Sequence, residues 1–338
     1  MSNPVQVLGL VEAGRVSELG ARSDRKAFRR AARLLHPDTA VANGIDRARA
    51  NAAFEIVNAW FNHRQTSSPI ILTTRRSSYS LGDVIGTGSL ATLYAGKAGD
   101  GSQVAVKMFR KPAHAPYADA EKDVLTELAE TVKKWTFLDG YYPRLVDSFR
   151  HKETGGSVQR RVNVLDAFTA GWYTLAQVKA SYPQGLDGRD WAWMHRRLVI
   201  AVGGIGAAGW VHGAILPENV LINPALHGLV IVGFSCAVRS GSAPRAVVAS
   251  QRDLYAPEAL AKEPLTPATD MFMAHSLMRF MLHPSQRRQL AFADGCSQTT
   301  PGYRPDAASV AIEYDELVRE LYGPRKFRPF AMPTGTAA

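Results

Sequence analysis

The stretch Trp210-Val211-His212-Gly213-Ala214-Ile215-Leu216-Pro217-Glu218-Asn219-Val220-Leu221-Ile222 decides how the chain is read. A histidine is followed, after a short spacer, by Pro-Glu-Asn and then by an apolar run suited to a strand. Within the spacer stands Ala214, whose side chain cannot accept a proton. The approach to this stretch, Leu198 to Pro217, carries no formal charge. It is interrupted by Gly203, Gly204, Gly206, Gly209, Gly213 and His212, so a buried core helix running into a loop accounts for it better than a membrane span does.

Working outward, ordered markers lie on both sides. Downstream come Gly228-Leu229-Val230-Ile231-Val232-Gly233-Phe234-Ser235, then Tyr255-Ala256-Pro257-Glu258, Thr269-Asp270-Met271-Phe272 and Tyr303-Arg304-Pro305. Upstream, a strand pattern begins at Tyr79 and reaches Gly86-Thr87-Gly88-Ser89-Leu90-Ala91; after a turn at Gly99-Asp100-Gly101 comes Val104-Ala105-Val106-Lys107-Met108-Phe109. Glycines between two strands let backbone donors approach phosphate oxygens, and a lysine on the next strand can pair with the same phosphates.

In this order and spacing the markers resemble a Ser/Thr protein kinase, covering residues 79–330. The resemblance implies a bilobal fold, and the short stretch between Asp270 and Arg304 implies an abbreviated C-lobe. It implies architectural roles for His212 and Phe234 as packing residues, for Asp270 as the anchor of the catalytic-loop backbone, and for Glu258 with Arg304 as a buried ion pair. It also implies a carboxylate partner for Lys107 on the acidic helix Ala118–Trp135. Glu127 lies at the usual separation, with Glu121 and Glu130 as rivals.

The residues that perform the chemistry in that family are altered. Ala214 stands where the family has the aspartate that orients the substrate hydroxyl and accepts its proton, and Gly233 stands where it has the magnesium-binding aspartate. Gly213 and Leu216 replace a further arginine and lysine, and Asn219 alone is retained. Loss of general-base positioning costs about 10²–10⁴ in rate. No metal site is therefore expected, and a pseudokinase is the expectation. The surviving Gly86, Gly88 and Lys107, with Glu127 as the expected partner, leave ATP binding without magnesium open. The aromatic cluster Trp172-Tyr173, Trp191-Ala192-Trp193 and Trp210 reads as core or groove packing, with a partner-binding surface as the minor alternative.

The first 65 residues follow a different pattern. Between Ser23 and Leu35, helical periodicity puts Phe28, Ala31, Ala32 and Leu35 on one side and Lys26, Arg29, Arg30 and Arg33 on the other. Pro37 ends that helix at His36. A second helical run, Asp46 to Asn62, carries Ala50, Phe54, Val57 and Phe61 as an apolar stripe that can zip against the first. A tripeptide His36-Pro37-Asp38 between two such helices resembles the J domain of DnaJ-type co-chaperones. The resemblance implies a DnaK-type chaperone partner, engaged by His36, Pro37 and Asp38 and steered by the basic face. Either Val7–Leu10 or Val16–Gly20 could supply the first helix of that family.

The expected fold class is therefore α+β and multidomain: a small all-α J-domain-like hairpin (1–65), a polar linker (66–78) with a short docking or strand segment at Pro69-Ile70-Ile71-Leu72, a kinase-like domain (79–330) and a tail (331–338). The net charge of +10 allows an acidic partner. With no long block of like charge, a nucleic-acid-binding regulator is the least favoured reading, behind a co-chaperone with a client or scaffold protein and an active atypical kinase. Two cysteines make no disulfide framework. The start of the chain lacks the features of a secretory signal, so a cytoplasmic protein without membrane association is expected.

Overall fold

A computed structural model describes residues 3–20, 24–35, 37–62, 70–152, 158–168 and 171–333. The chain divides into two compact units, Met1–Ile70 and Ile71–Ala338.

Among its described residues the first unit has four α-helices: α1 (Pro4–Glu12), α2 (Arg25–Leu35), α3 (Pro37–Ala42) and α4 (Arg47–Asn62). Asn3 caps α1 by accepting from the Val5 N–H at 2.9 Å, and Asp24 caps α2 by accepting from Lys26 and Ala27 at 2.9 and 3.0 Å. Val7, Leu8, Val11, Val16, Ala31, Leu35, Ala50 and Val57 form its core. Of the two candidates for a first helix, the residues around Val7 make the α-helix, whereas Val16–Leu19 is a single 3₁₀ turn. The segment after His36, expected as an open loop, is helical from Pro37 to Ala42; proline, with φ preset and no N–H to lose, suits the first position of a helix. His36 lies outside the described residues, as do the side chains of Pro37, Asp38 and Phe61.

At the junction of the two units the segment expected as a docking or strand element forms β1 (Ile70–Thr73), and the second unit continues through β2 (Ser78–Thr87), β3 (Ala91–Ala98), β4 (Gln103–Phe109), α5 (Ala115–Lys134), β5 (Leu145–Lys152) and β6 (Gln159–Asp166). The six strands form one sheet in the order β1-β2-β3-β4-β6-β5. Leu72, Tyr79, Val104, Val106, Val162 and Val164 are buried on one face, while Ala105 and Leu165 on the other join the main core with α5. The compact body thus begins ahead of the boundary expected at Tyr79, because Leu72 is fully buried in the sheet.

The remainder is mainly helical. After β7 (Tyr173–Thr174) and α6 (Leu175–Ser181), α7 (Gly188–Ala207) leads into β8 (Trp210–Val211), β9 (Val220–Asn223), β10 (Gly228–Ile231) and β11 (Val238–Arg239). These small strands form the sheets β10-β9-β7 and β11-β8, which frame the loop after His212. Then come α8 (Pro257–Leu260), α9 (Pro267–Met281), α10 (Arg287–Cys296) and α11 (Ala307–Tyr322). Helix α7 is the buried, glycine-containing helix that the sequence pattern predicts, packed by α9 and α11. Among the described residues no helix is long and apolar enough to cross a membrane. The C-terminal segment is anchored as far as Ala331: Phe330 is buried, and the Tyr182 hydroxyl donates to the Ala331 carbonyl at 2.5 Å.

Candidate functional site

Strand register assembles the upper half of the site. Gly86 lies opposite Leu93, Leu93 opposite Lys107, Lys107 opposite Asn163, and Asn163 opposite Ser148, so one row crosses β2, β3, β4, β6 and β5. Residues in one such row point to the same face. Lys107 and Asn163 therefore meet α5 together, with Ser148 beside Asn163. The Lys107 ammonium donates to Glu121 Oε1 at 2.6 Å and to Ser235 Oγ at 2.8 Å. Asn163 donates to the second oxygen of Glu121 and to the Ala118 carbonyl, both at 3.0 Å, and accepts from Ser148 at 2.8 Å. Glu121 is buried and Lys107 nearly so.

The partner of Lys107 is therefore Glu121, not Glu127. Glu121 falls on the apolar stripe of α5 with Ala118, Val124, Leu125 and Leu128, and a carboxylate interrupting such a stripe is the signal that spacing by itself missed. Glu127 faces a different direction: it accepts from Trp210 Nε1 at 3.1 Å and pairs with Arg239, which lies over the Trp210 ring. Glu130 pairs with Lys133 on the surface. Ser235 and Asn163, both in direct contact with the pair, carried no signal in the linear sequence.

The glycine-rich segment is a tight hairpin in which Gly88 N–H donates to the Ala91 carbonyl at 2.9 Å. Neither Gly86 nor Gly88 has a positive φ. Ala91, where a third glycine would complete the run, is buried with Phe109 and Ala118.

The lower half is the loop after β8. Asp270, in the first turn of α9, accepts from the N–H groups of His212 at 2.6 Å and Gly213 at 2.9 Å. Burial pushes its carboxyl up to about 7, against those two donors, which pull it down. His212 Nε2 lies 3.0 Å from the Val232 carbonyl, and the Ala214 N–H donates to Nδ1 at 3.2 Å. This fixes a neutral imidazole with its proton on Nε2, consistent with burial driving its pKa down to about 4. Its ring packs edge-on against Phe234, centroids 4.7 Å apart, and Phe234 in turn meets Tyr142. Glu258 and Arg304 form a bidentate pair at 2.6 and 2.8 Å. The remaining guanidinium hydrogens go to the carbonyls of Gln298, Ala268 and Thr299, and Thr269 adds a hydroxyl to Glu258. Burial pushes the Glu258 carboxyl up, but the bonds from Arg304 and Thr269 and its own backbone N–H outweigh it and hold it below its usual value.

Positions 214 and 233 carry no carboxylate. Ala214 is buried. Gly233 has φ of 82°, in the left-handed region. A Cβ placed there would lie 2.8 Å from Asn219 Cγ and closer still to Oδ1, well inside the 3.5–4.0 Å optimum for such atoms. Asn219 holds that space because its amide donates to the Ala214 carbonyl at 2.9 Å. Asn219 thus braces the backbone between positions 214 and 233. Glu218 is exposed and accepts from Gln251 at 2.7 Å. Among the described residues no group of three or more His, Cys, Asp or Glu is arranged to hold a metal ion.

In the first unit, Lys26, Arg29, Arg30 and Arg33 are all exposed along α2, opposite the buried Ala31 and Leu35.

The fold is kinase-like: an antiparallel sheet with a lysine–glutamate pair to one helix, beside a mainly helical part carrying the anchored loop. The chain matches the structure of vaccinia related kinase 3 with a TM-score of 0.61 at 14% identity, covering 77% of this chain and 93% of that one. It matches the BubR1 kinase domain with a TM-score of 0.57 at 16% identity, covering 76% and 85%. No protein-family profile matches the sequence, and no curated protein does.

Proposed function

We propose that the kinase-like unit is catalytically silent and serves as a binding module for a client or scaffold protein, and that the first unit is a J-domain-type co-chaperone element acting on a DnaK-type chaperone. The observation that carries the first half is Gly233. The position that must supply a metal ligand has no side chain, and Asn219 fills the space one would need. Ala214 removes the proton acceptor as well, and phosphoryl transfer depends on positioning and charge stabilisation by these two groups. The architecture around them is intact, as expected of a fold kept for recognition. ATP entering the cleft must compete with Ser235 and Glu121 for the Lys107 ammonium, a loss of about 1 kcal/mol for the hydroxyl contact. Magnesium-free binding is the form of nucleotide binding compatible with this site.

The second half rests on the His36-Pro37-Asp38 tripeptide between α2 and α4 and on the exposed cations of α2, whose field suits an acidic partner surface. Two measurements test the proposal. Incubation with labelled ATP and magnesium gives no incorporation; incorporation abolished by Lys107→Ala would reinstate an active kinase. The full chain stimulates ATP hydrolysis by a DnaK-type chaperone, and His36→Gln removes the stimulation. Absence of stimulation by the unaltered chain sinks the co-chaperone half alone.

A further inference from the structure

A cavity of about 550 Å³ lies in the helical body away from the kinase-like cleft, between the start of α7, the end of α11 and the segment Gly323–Pro329. Its size falls in the range of small-molecule sites. One wall is a ladder of three rings: Trp193 stacks on His227 with centroids 4.4 Å apart and planes within 8°, and His227 stacks on Phe327 at 4.4 Å and 21°. The inner rung is enclosed. Trp193 is 7% exposed, and its Nε1 has no acceptor among the described residues. The outer rung is open, since Phe327 is 71% exposed and only one of its faces is used by His227.

The charges around this ladder are unbalanced. Arg189 pairs with Asp187, Arg196 with Asp315 and Arg328 with Asp190. Arg319, Arg325 and Lys326 also line the cavity, and none of the three has a carboxylate partner among the described residues. A concave site with three uncompensated cations concentrates a multiply charged anion. A stack ending in an exposed ring face adds one more planar ring at offset-stacking distance.

We propose that this cavity is a second binding site, taking a nucleoside polyphosphate without magnesium: the base stacks on Phe327 and the phosphates lie on Arg319, Arg325 and Lys326. Ring and polyanion in one molecule of this volume match both walls; a fatty ligand leaves the cations unused, and an inorganic anion leaves the ladder unextended. The site shares no residue with Lys107 and its partners, so it stands whether or not the cleft binds nucleotide.

Calorimetric titration of the full chain with ATP in EDTA, repeated with tripolyphosphate, tests this. ATP binds, and its affinity falls as salt rises. Arg325→Ala/Lys326→Ala weakens it by at least about tenfold, and Phe327→Ala by about threefold or more, with unfolding temperatures unchanged because all three side chains are exposed. Arg319→Ala is the independent check should the double variant lose stability. ATP binding that Arg325→Ala/Lys326→Ala, Arg319→Ala and Phe327→Ala all leave unchanged assigns it elsewhere and overturns the proposal, as does an absence of ATP binding. Tripolyphosphate binding as tightly as ATP, with Phe327→Ala silent, overturns it in favour of a generic anion site.

Discussion

Introducing a carboxylate by Gly233→Asp destabilises the protein. Any side chain at position 233 must adopt the left-handed backbone seen there, at ~1–2 kcal/mol. It also expels the Asn219 amide, whose bond to the Ala214 carbonyl is worth ~1 kcal/mol. The expected cost is about 2–3 kcal/mol, or roughly 5–10 °C in unfolding temperature for a unit of this size. Gly233→Ala shows nearly the same loss, because the cost comes from the backbone and Cβ and not from the carboxylate. Thermal unfolding followed by tryptophan fluorescence reads it directly, since Trp135, Trp172, Trp191, Trp193 and Trp210 all lie in the kinase-like unit and only Trp60 does not. Combining Gly233→Ala with Asn219→Ala relieves the overlap, so the pair is less destabilised than the sum of its members by about 1 kcal/mol. Additive single losses, or a Gly233→Asp protein of parental stability that is further stabilised by ATP only when magnesium is present, would refute the reasoning.

Two other outcomes follow from the same geometry. Glu121→Ala leaves Lys107 unpaired at a nearly buried position and costs ~3 kcal/mol or more, whereas Glu127→Ala, at a half-exposed pair, costs under ~1 kcal/mol; denaturant melts of the two variants separate the assignments. Stability also falls on acidification between about pH 6.5 and pH 4. Burial drives His212 and His275 down to about 4 and His195 well below its usual value, so in that window the unfolded chain takes up protons that the fold refuses, at ~3 kcal/mol for each of the first two. Asp270, pushed up to about 7, works in the opposite sense and offsets about one of them. Urea titrations at about pH 7 and pH 4.5 should show the net loss, and His275→Gln should shrink it; equal midpoints at the two pH values would rule it out.

Much was legible in the linear sequence. The boundaries of α2 and α4, the strands carrying Gly86 and Lys107, and the buried nature of α7 follow from hydrophobic period and from breakers such as Pro37, which act locally. That positions 214 and 233 carry no side-chain proton acceptor was legible too, because an alanine or a glycine lacks one in any fold. Contacts set by a third element were not. Glu121 and Glu127 are equivalent as acids on one helix, and only the β4–β6 register, which puts Lys107 beside Asn163 under α5, selects Glu121. That Gly233 cannot simply be refilled depends on where Asn219 is held by the Ala214 carbonyl. The Trp193–His227–Phe327 ladder joins residues from a helix, a turn and the C-terminal segment that no periodicity links. The sequence by itself determined which groups this protein has and lacks; the tertiary structure decided which of them meet, because burial and register, not spacing along the chain, determine the neighbours of a charge or a ring.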